Sequence, residues 1–265
     1  LSGEGGIGAA DSTIDGGTKL VFTGTLSSCI TQEDTGNSLQ HVTIQDLMVI
    51  SDGSANWVLD FKEALGCNFL RCEFKNNWAS GGVLRSQKLT SSANSWVNTI
   101  TNCFLRGINS GGVTFTGTAH TLDVDWSDSH FVGSAFTGGT GAILRGSGFC
   151  MVSACRFDLS SGAALTISKE LDNCMHLITG CQIENSKETG LRITVDNETG
   201  TVYKLSFAVT GCAFRNFYSG ASQIEFVNSG SNVYLGGLVT GNAYNVNAAD
   251  GVTIDDTEFQ DVSFI

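Results

Sequence analysis

The sequence predicts an all-β solenoid, in which the short parallel strands of successive repeats stack on one another. Three observations favour this fold class. A short motif recurs every 25 to 31 residues. The 265 residues include no proline, which is excluded from central strands because it cannot donate to the hydrogen-bond ladder. Charged residues are only 15% of the chain, too few for a bundle of helices with ion-paired surfaces.

The motif is an apolar residue, two small or polar residues, an anchor residue, a variable residue and a second apolar residue. Copies with cysteine at the anchor are FLRCEF (69–74), ITNCFL (100–105), VSACRF (152–157), ITGCQI (178–183) and VTGCAF (209–214). Degenerate copies are IQDLMV (44–49), WSDSHF (126–131) and VTGNAY (239–244). The predicted anchors are Leu47, Cys72, Cys103, Ser129, Cys155, Cys181, Cys212 and Asn242, at spacings of 25, 31, 26, 26, 26, 31 and 30.

A glycine-led apolar segment follows most anchors, and we expect it to form a second strand after a corner. These segments are GGVLRS (81–86), GGVTFTG (111–117), GAILRG (141–146), GAALTIS (162–168), TGLRITV (189–195) and DGVTID (250–255). A repeat of this size cannot bury its own apolar face, so neighbouring repeats must stack to form a continuous core.

This repeat pattern resembles that of the right-handed parallel β-helix family, which includes pectate-lyase-like and phage-tailspike-like solenoids. The resemblance covers roughly residues 14–265 and implies a single-stranded, right-handed parallel β-helix of about eight or more coils, with a lead-in segment at 1–13. It further implies a homotrimer of a virion tail or another outer surface, which binds a bacterial capsule or O-antigen polysaccharide and hydrolyses it internally. A non-catalytic adhesin, a structural stalk and a polysaccharide lyase are the alternatives.

The nine cysteines are predicted to be free core residues. They include no C-x-x-C pair, and five of them share the anchor position, where small apolar side chains suit a buried stack. Cys67 and Cys150, each five residues before an anchor, indicate a second internal column. An odd number of internal thiols favours folding in a reducing compartment such as the bacterial cytoplasm.

The alternation of strand residues places the first and third residues after each anchor on the outer surface. Asp158 and Glu184 are then neighbours on successive coils, about 4.8 Å apart at the backbone. Paired carboxyl groups are the catalytic groups of glycosidases, with either stereochemical outcome open at this stage. The predicted substrate-binding residues around them are His130, Arg156, Gln182 and Arg215. The alternative is a solvated patch in which the arginines offset the acids.

A rival acidic pair is Asp123 and Asp125, beside Trp126, which itself occupies an apolar motif position typical of the core. Trp78 and Trp96 are predicted to lie beside loops, where they could stack on sugar rings. Three arginines that follow a leucine on the second strand could form a basic stripe for an acidic polysaccharide, which is the basis of the lyase alternative: Arg85, Arg145 and Arg192.

Composition and motifs exclude several other classes. A formal charge of −12 argues against binding to nucleic acid or anionic membranes through bulk electrostatics. No apolar run approaches the roughly 20 residues of a transmembrane helix. No phosphate-binding loop, dinucleotide fingerprint or zinc-protease motif occurs, so the sequence predicts neither a cofactor nor a metal.

Overall fold

The computed structural model describes residues 6–7, 14–15, 18–32, 39–87, 95–108, 117–146, 148–169, 174–195, 203–215, 222–228, 233–244, 253–254 and 262–264. In this part of the chain all regular structure is β-strand. Three parallel sheets of nine strands each are visited in the same order by successive repeats, so the predicted parallel β-solenoid is confirmed. Its right-handed sense stays a prediction, favoured by the general handedness of parallel crossovers.

Each sheet collects one strand from every repeat. Sheet I, which holds the strand after each anchor, comprises Thr18–Phe22, Leu47–Ser51, Glu73–Asn76, Phe104–Arg106, Ala135–Thr137, Arg156–Asp158, Gln182–Glu184, Ala213–Arg215 and Ala243–Tyr244. Sheet II comprises Thr25–Thr31, Ser54–Phe61, Gly82–Ser86, Leu122–Val124, Ala142–Arg145, Leu165–Lys169, Thr189–Val195, Ser222–Asn228 and Thr253–Ile254. Sheet III comprises Thr43–Gln45, Asn68–Leu70, Thr99–Thr101, His130–Val132, Phe149–Ser153, Cys174–Thr179, Tyr203–Thr210, Val233–Thr240 and Val262–Phe264.

Three two-stranded pairings lie outside these sheets. Gly6–Ile7 pairs with Ile14–Asp15 in antiparallel fashion, and the parallel pairs are Leu39–Gln40 with Ala64–Leu65 and Ser95–Trp96 with Trp126–Ser127. The glycine-led segments largely coincide with sheet II. Residues 111–116 of one such segment lie outside the described residues, and the sheet II strand of that coil is Leu122–Val124.

The anchor residue follows a corner between sheets III and I, where the preceding residue has a positive φ. Arg71 (φ 50°) precedes Cys72, and Gly180 (φ 61°) precedes Cys181. This left-handed conformation turns the chain within one residue, and it favours glycine and small polar residues. The small or polar positions of the motif therefore encode the corner.

The anchor side chains also accept hydrogen bonds from the backbone of the preceding coil. The Cys103 N–H donates to Ser134 Oγ at 3.0 Å, and the Cys212 N–H donates to Asn242 Oδ1 at 2.8 Å. A buried N–H at a corner needs such a partner, because leaving it unpaired costs about 1–3 kcal/mol. This need explains why serine and asparagine replace cysteine at some anchors.

The register corrects one predicted copy of the motif. Ser134, rather than Ser129, is the anchor of its coil, because the strand that follows it, Ala135–Thr137, lies in sheet I between Phe104–Arg106 and Arg156–Asp158. The segment FVGSAF (131–136) fits the motif as well as WSDSHF does. The prediction chose the wrong one of two small residues five positions apart.

Ser129 belongs to the second internal column, which the sequence indicated from Cys67 and Cys150. Its Oγ accepts a hydrogen bond from the Asn98 N–H at 3.1 Å, and Asn98 Oδ1 in turn accepts from the Cys67 N–H at 2.9 Å. Both predicted columns are thus confirmed as lines of buried residues at the corners of the solenoid.

The cysteine prediction is confirmed for the described side chains. Cys72, Cys103, Cys155, Cys181 and Cys212 are free and each at most 2% exposed. A hydrogen bond with Cys155, together with burial, raises the pKa of Cys181 to about 12. These thiols act as small apolar core groups.

Candidate functional site

Asp158 and Glu184 occupy equivalent positions at the ends of adjacent sheet I strands. The residues before them, Phe157 and Ile183, are at most 1% exposed and fill the core. Strand alternation therefore turns both carboxylates to the outer face of sheet I. The predicted pairing of the two acids on successive coils is confirmed.

One guanidinium nitrogen bridges the two acids. Arg156 Nη2 lies 2.7 Å from Asp158 Oδ2 and 2.6 Å from Glu184 Oε1. The two other carboxylate oxygens have amide partners, since Asn185 Nδ2 donates to Asp158 Oδ1 at 2.8 Å and Gln182 Nε2 donates to Glu184 Oε2 at 3.0 Å. All four carboxylate oxygens are thus engaged by side chains of the protein.

The shared nitrogen limits the separation of the two acids. Because it lies within 2.7 Å of an oxygen of each, Asp158 Oδ2 and Glu184 Oε1 are no farther apart than the sum of the two distances. The greatest possible distance between these two oxygens is therefore no longer than the roughly 5–5.5 Å separation typical of retaining glycosidases. It is also shorter than the roughly 6.5–9.5 Å that inverting enzymes need for a water molecule between acid and base.

The carboxylates are largely covered although they face outward. Asp158 is 5% and Glu184 6% exposed, whereas the Arg156 side chain is 51% exposed and forms the lid over them. Burial raises the pKa of Asp158 above its ordinary value, against the lowering effects of the Asn185 hydrogen bond and Arg156, and the Glu184 charge adds to the rise. The raised pKa favours the protonated form of Asp158.

The backbone turns sharply directly after each acid. Leu159 has φ 57° and Asn185 has φ 52°, both in the left-handed region. Asparagine adopts this conformation readily, whereas for leucine it costs roughly 1–2 kcal/mol. These corners fix the positions of the carboxylates, and the second one also aims the Asn185 amide back at Asp158.

Three of the four predicted substrate-binding residues lie beside the pair. Arg156 and Gln182 contact it directly, and the exposed Arg215 is the register partner of Glu184 on the next strand. His130 does not lie beside the pair, so its predicted place next to the carboxylates was wrong. It lies on sheet III, where its ring packs edge-on against Phe149. The prediction was wrong because it took Ser129 for the anchor of this coil.

The two predicted tryptophan platforms lie at other corners. Trp78 follows the sheet I strand Glu73–Asn76, which lies three strands from Arg156–Asp158. The backbone N–H of Trp78 donates to Asn76 Oδ1 at 3.0 Å. Trp96 precedes a sheet III strand and is 42% exposed. Neither is a near neighbour of the acidic pair in the strand order, although Trp96 is open to solvent.

The rival pair forms a second arginine-bridged cluster on sheet II. Arg145 Nη1 makes ion pairs with Asp123 and with Asp125, the latter at 3.6 Å, and Gln87 Nε2 lies 3.4 Å from Asp123. Neighbouring Trp126 is only 1% exposed and stacks on Phe69, so it belongs to the core, as the motif predicted.

The arginines predicted as a basic stripe are all compensated. Arg85 forms a bidentate pair with Asp60 at 2.9 and 2.6 Å, and Arg192 lies 2.7 Å from Glu225. Arg145 bridges the rival pair. Because each guanidinium has its own carboxylate, the three residues do not make an uncompensated surface for an acidic polymer.

One buried carboxyl on sheet I was not singled out from the sequence. Glu73 is 3% exposed although strand alternation directs it outward. The available signal was the stacking of two cations, Lys75 and Arg106, at the third position after successive anchors. Like charges in register on adjacent strands are unfavourable unless an anion offsets them.

No group of three or more histidine, cysteine, aspartate or glutamate side chains among the described residues could hold a metal ion. Among the same residues there is no helix long and apolar enough to cross a membrane. Comparison with known proteins gives no match, since no family model, no curated protein and no solved structure is significantly similar to the chain.

Proposed function

We propose that this solenoid binds a bacterial surface polysaccharide along the outer face of sheet I and hydrolyses it internally at Asp158 and Glu184. The supporting observation is the in-register carboxyl pair, whose bridged oxygens are closer together than inverting glycosidases require. The proposal extends the resemblance of the repeat pattern to tailspike-like solenoids.

The environment of each acid suggests its role. Asp158, with its raised pKa, donates its proton to the oxygen of the glycosidic bond as that bond breaks. A Glu184 oxygen then bonds to the anomeric carbon, forming a glycosyl-enzyme. In the second step a water molecule attacks the anomeric carbon, displaces Glu184 and transfers one of its own protons to Asp158. Arg156 must swing aside for the sugar to enter, which its half-exposed side chain allows.

The same face offers donors for sugar hydroxyl groups. The amides of Gln182 and Asn185 surround the pair, and Arg215 extends the polar surface to the next coil. Polar groups repeated at the spacing of adjacent strands, about 4.8 Å, suit a ligand that is itself a repeating chain.

The proposal is tested by incubating the chain with a panel of capsule and O-antigen polysaccharides and measuring new reducing ends. Asp158→Asn and Glu184→Gln should each abolish cleavage. Asp60→Asn is the matched control, because Asp60 also faces outward in an ion pair with an arginine but lies on sheet II. Cleavage that persists in both site variants would refute the assignment and favour the Asp123 and Asp125 cluster.

A non-catalytic role is the second candidate, and one observation favours it. All four carboxylate oxygens already have protein partners, so the cluster is also a complete structural unit. Binding of a polysaccharide without new reducing ends would indicate an adhesin. The absence of both binding and cleavage across the panel would indicate a stalk.

The assembly and location remain part of the same proposal. A homotrimer in a virion tail is what the resemblance implies. Folding in a reducing compartment is supported by the buried, free thiols of the core.

A further inference from the structure

A cluster of charged residues lies around Glu73, on the same outer face of sheet I but nearer the N-terminal end of the solenoid. Glu73 is the register partner of Met48 on one side and Phe104 on the other. Glu73 is 3% and Met48 6% exposed. The result is a buried acid on a surface that strand alternation turns outward.

The contacts of this carboxyl are incomplete. Its Oε1 lies 3.6 Å from Arg106 Nη1, longer than the roughly 2.7–2.9 Å of a charge-assisted hydrogen bond. Its Oε2 is buried and has no hydrogen-bond partner in the described part of the chain. A buried, unpaired oxygen of this kind is uncommon in native proteins and calls for an explanation, such as a hydroxyl group of a ligand that donates a hydrogen bond to it.

Three cations act on the same carboxyl. Arg106, Lys75 and Lys19 all favour its ionised form, but burial outweighs them and raises the pKa of Glu73 above its ordinary value. Three positive charges against one carboxyl leave a local excess of positive charge in a chain whose net charge is −12. The cluster therefore attracts anions, although the net charge of the chain is negative.

The cations are also placed to reach a ligand. Lys75 and Arg106 are register partners on adjacent strands, so their like charges lie side by side on the outer face. The Arg106 side chain is 34% exposed and Lys19 is exposed. An oxyanion seated between them would relieve their repulsion and accept hydrogen bonds from both.

We propose that Arg106, Lys75 and Lys19 form a binding site for an oxyanion, and that the natural occupant is the carboxylate of an acidic sugar, one hydroxyl group of which donates to Glu73 at the base of the site. This deepens the proposed function, on which the choice of a sugar rests, because it makes the polysaccharide an acidic one. The strand Glu73–Asn76 lies three strands from Arg156–Asp158, so one extended chain could contact both sites. A phosphate group shares the required chemistry and is the other source to be distinguished.

The test is isothermal titration calorimetry with two probes, trigalacturonate and inorganic phosphate. We expect trigalacturonate to bind and its methyl ester, which lacks the charges, not to bind. Phosphate binding alone would still establish the oxyanion site but would overturn the assignment to a carboxylated sugar. Failure of both probes, or equal binding of the acid and its ester, would overturn the proposal.

Variants assign the binding to this cluster. Arg106→Gln should weaken trigalacturonate binding by about tenfold or more, and Lys75→Met by several-fold, because each removes a charge-assisted contact. Lys62→Met is the control, since it removes one positive charge at the end of a sheet II strand. An equal loss in the control would reduce the effect to general electrostatics and refute the site.

Glu73→Gln adds a check that does not depend on losing function. Glutamine keeps the shape and an oxygen that accepts hydrogen bonds but removes the negative charge, so we expect binding at least as tight as in the wild type. Weaker binding would contradict the role given to Glu73. The titration measures binding and not cleavage, so a failed hydrolysis assay leaves this test intact.

Discussion

Asp158 and Glu184, 26 residues apart in the sequence, are direct register partners, and a single nitrogen of Arg156 contacts an oxygen of each. The stacking of coils brings two acids together that no local motif connects. It also places a cation from the first acid's own strand over both of them. The chemistry of this face is therefore a consequence of the repeat length, which sets the residues that become neighbours.

The Arg156 bridge should contribute to stability as well as to function. We expect Arg156→Met to lower the free energy of unfolding by on the order of 2 kcal/mol, because it leaves two buried carboxylates without their shared donor. Arg156→Lys should recover most of the loss, since one ammonium can contact both oxygens. Denaturant unfolding measures both variants, and a methionine variant as stable as the wild type would contradict the bridge.

The corners of the solenoid should differ in their tolerance of side chains. A Cβ at Gly141 (φ 96°) would overlap the backbone oxygen of Ala163 on the next coil, whereas a Cβ at Gly180 (φ 61°) would have nothing within 4 Å. We expect Gly180→Ala to cost about 1–2 kcal/mol from its backbone conformation alone. Gly141→Ala should cost a further 1–3 kcal/mol or more from overpacking. Equal unfolding midpoints for the two variants would contradict the stacking of these coils.

The sequence was sufficient to predict the solenoid because stacking requires the same residue type at every equivalent position. The same repetition led to the wrong choice of Ser129 as an anchor, since Ser134 five residues later fits the motif equally well. The pairing of Asp158 with Glu184 survived this error because their own coils were correctly aligned. Their near-complete burial was not predictable, because it depends on where the long Arg156 side chain lies.

The cysteine columns should be chemically inert in the folded protein. We expect alkylation under native conditions to spare Cys72, Cys103, Cys155, Cys181 and Cys212, because all five are buried. The raised pKa of Cys181, about 12, further disfavours its reactive thiolate. Denaturation without reductant should then release all nine thiols. Mass spectrometry of labelled peptides gives the count, and any disulfide would contradict free thiols in the core.

The Glu73 carboxyl should make stability depend on pH. Its pKa in the folded protein is raised above the ordinary 4.5, so its ionised form destabilises the folded state at pH 7. We expect Glu73→Gln to unfold at a higher temperature than the wild type at pH 7, because glutamine imitates the neutral acid.

The difference should shrink as the pH falls from 7 towards 4.5, because the folded wild type takes up its proton before the unfolded chain does. Thermal unfolding of both proteins across this range measures the trend. A difference that grows as the pH falls would mean that burial does not dominate at Glu73.

The proposed function places the ligand on the outer face of sheet I and not on that of sheet II. The most direct test compares polysaccharide binding by Arg156→Gln and Arg85→Gln, since both remove an outward arginine from an ion pair with aspartate. The measurement is affinity for immobilised capsule and O-antigen polysaccharides. We expect Arg156→Gln to lower the affinity by about tenfold or more, because it removes charged hydrogen bonds. Arg85→Gln should leave the affinity essentially unchanged. Equal effects of the two variants would refute the assignment of the site to sheet I. A larger effect of Arg85→Gln would move the site to sheet II.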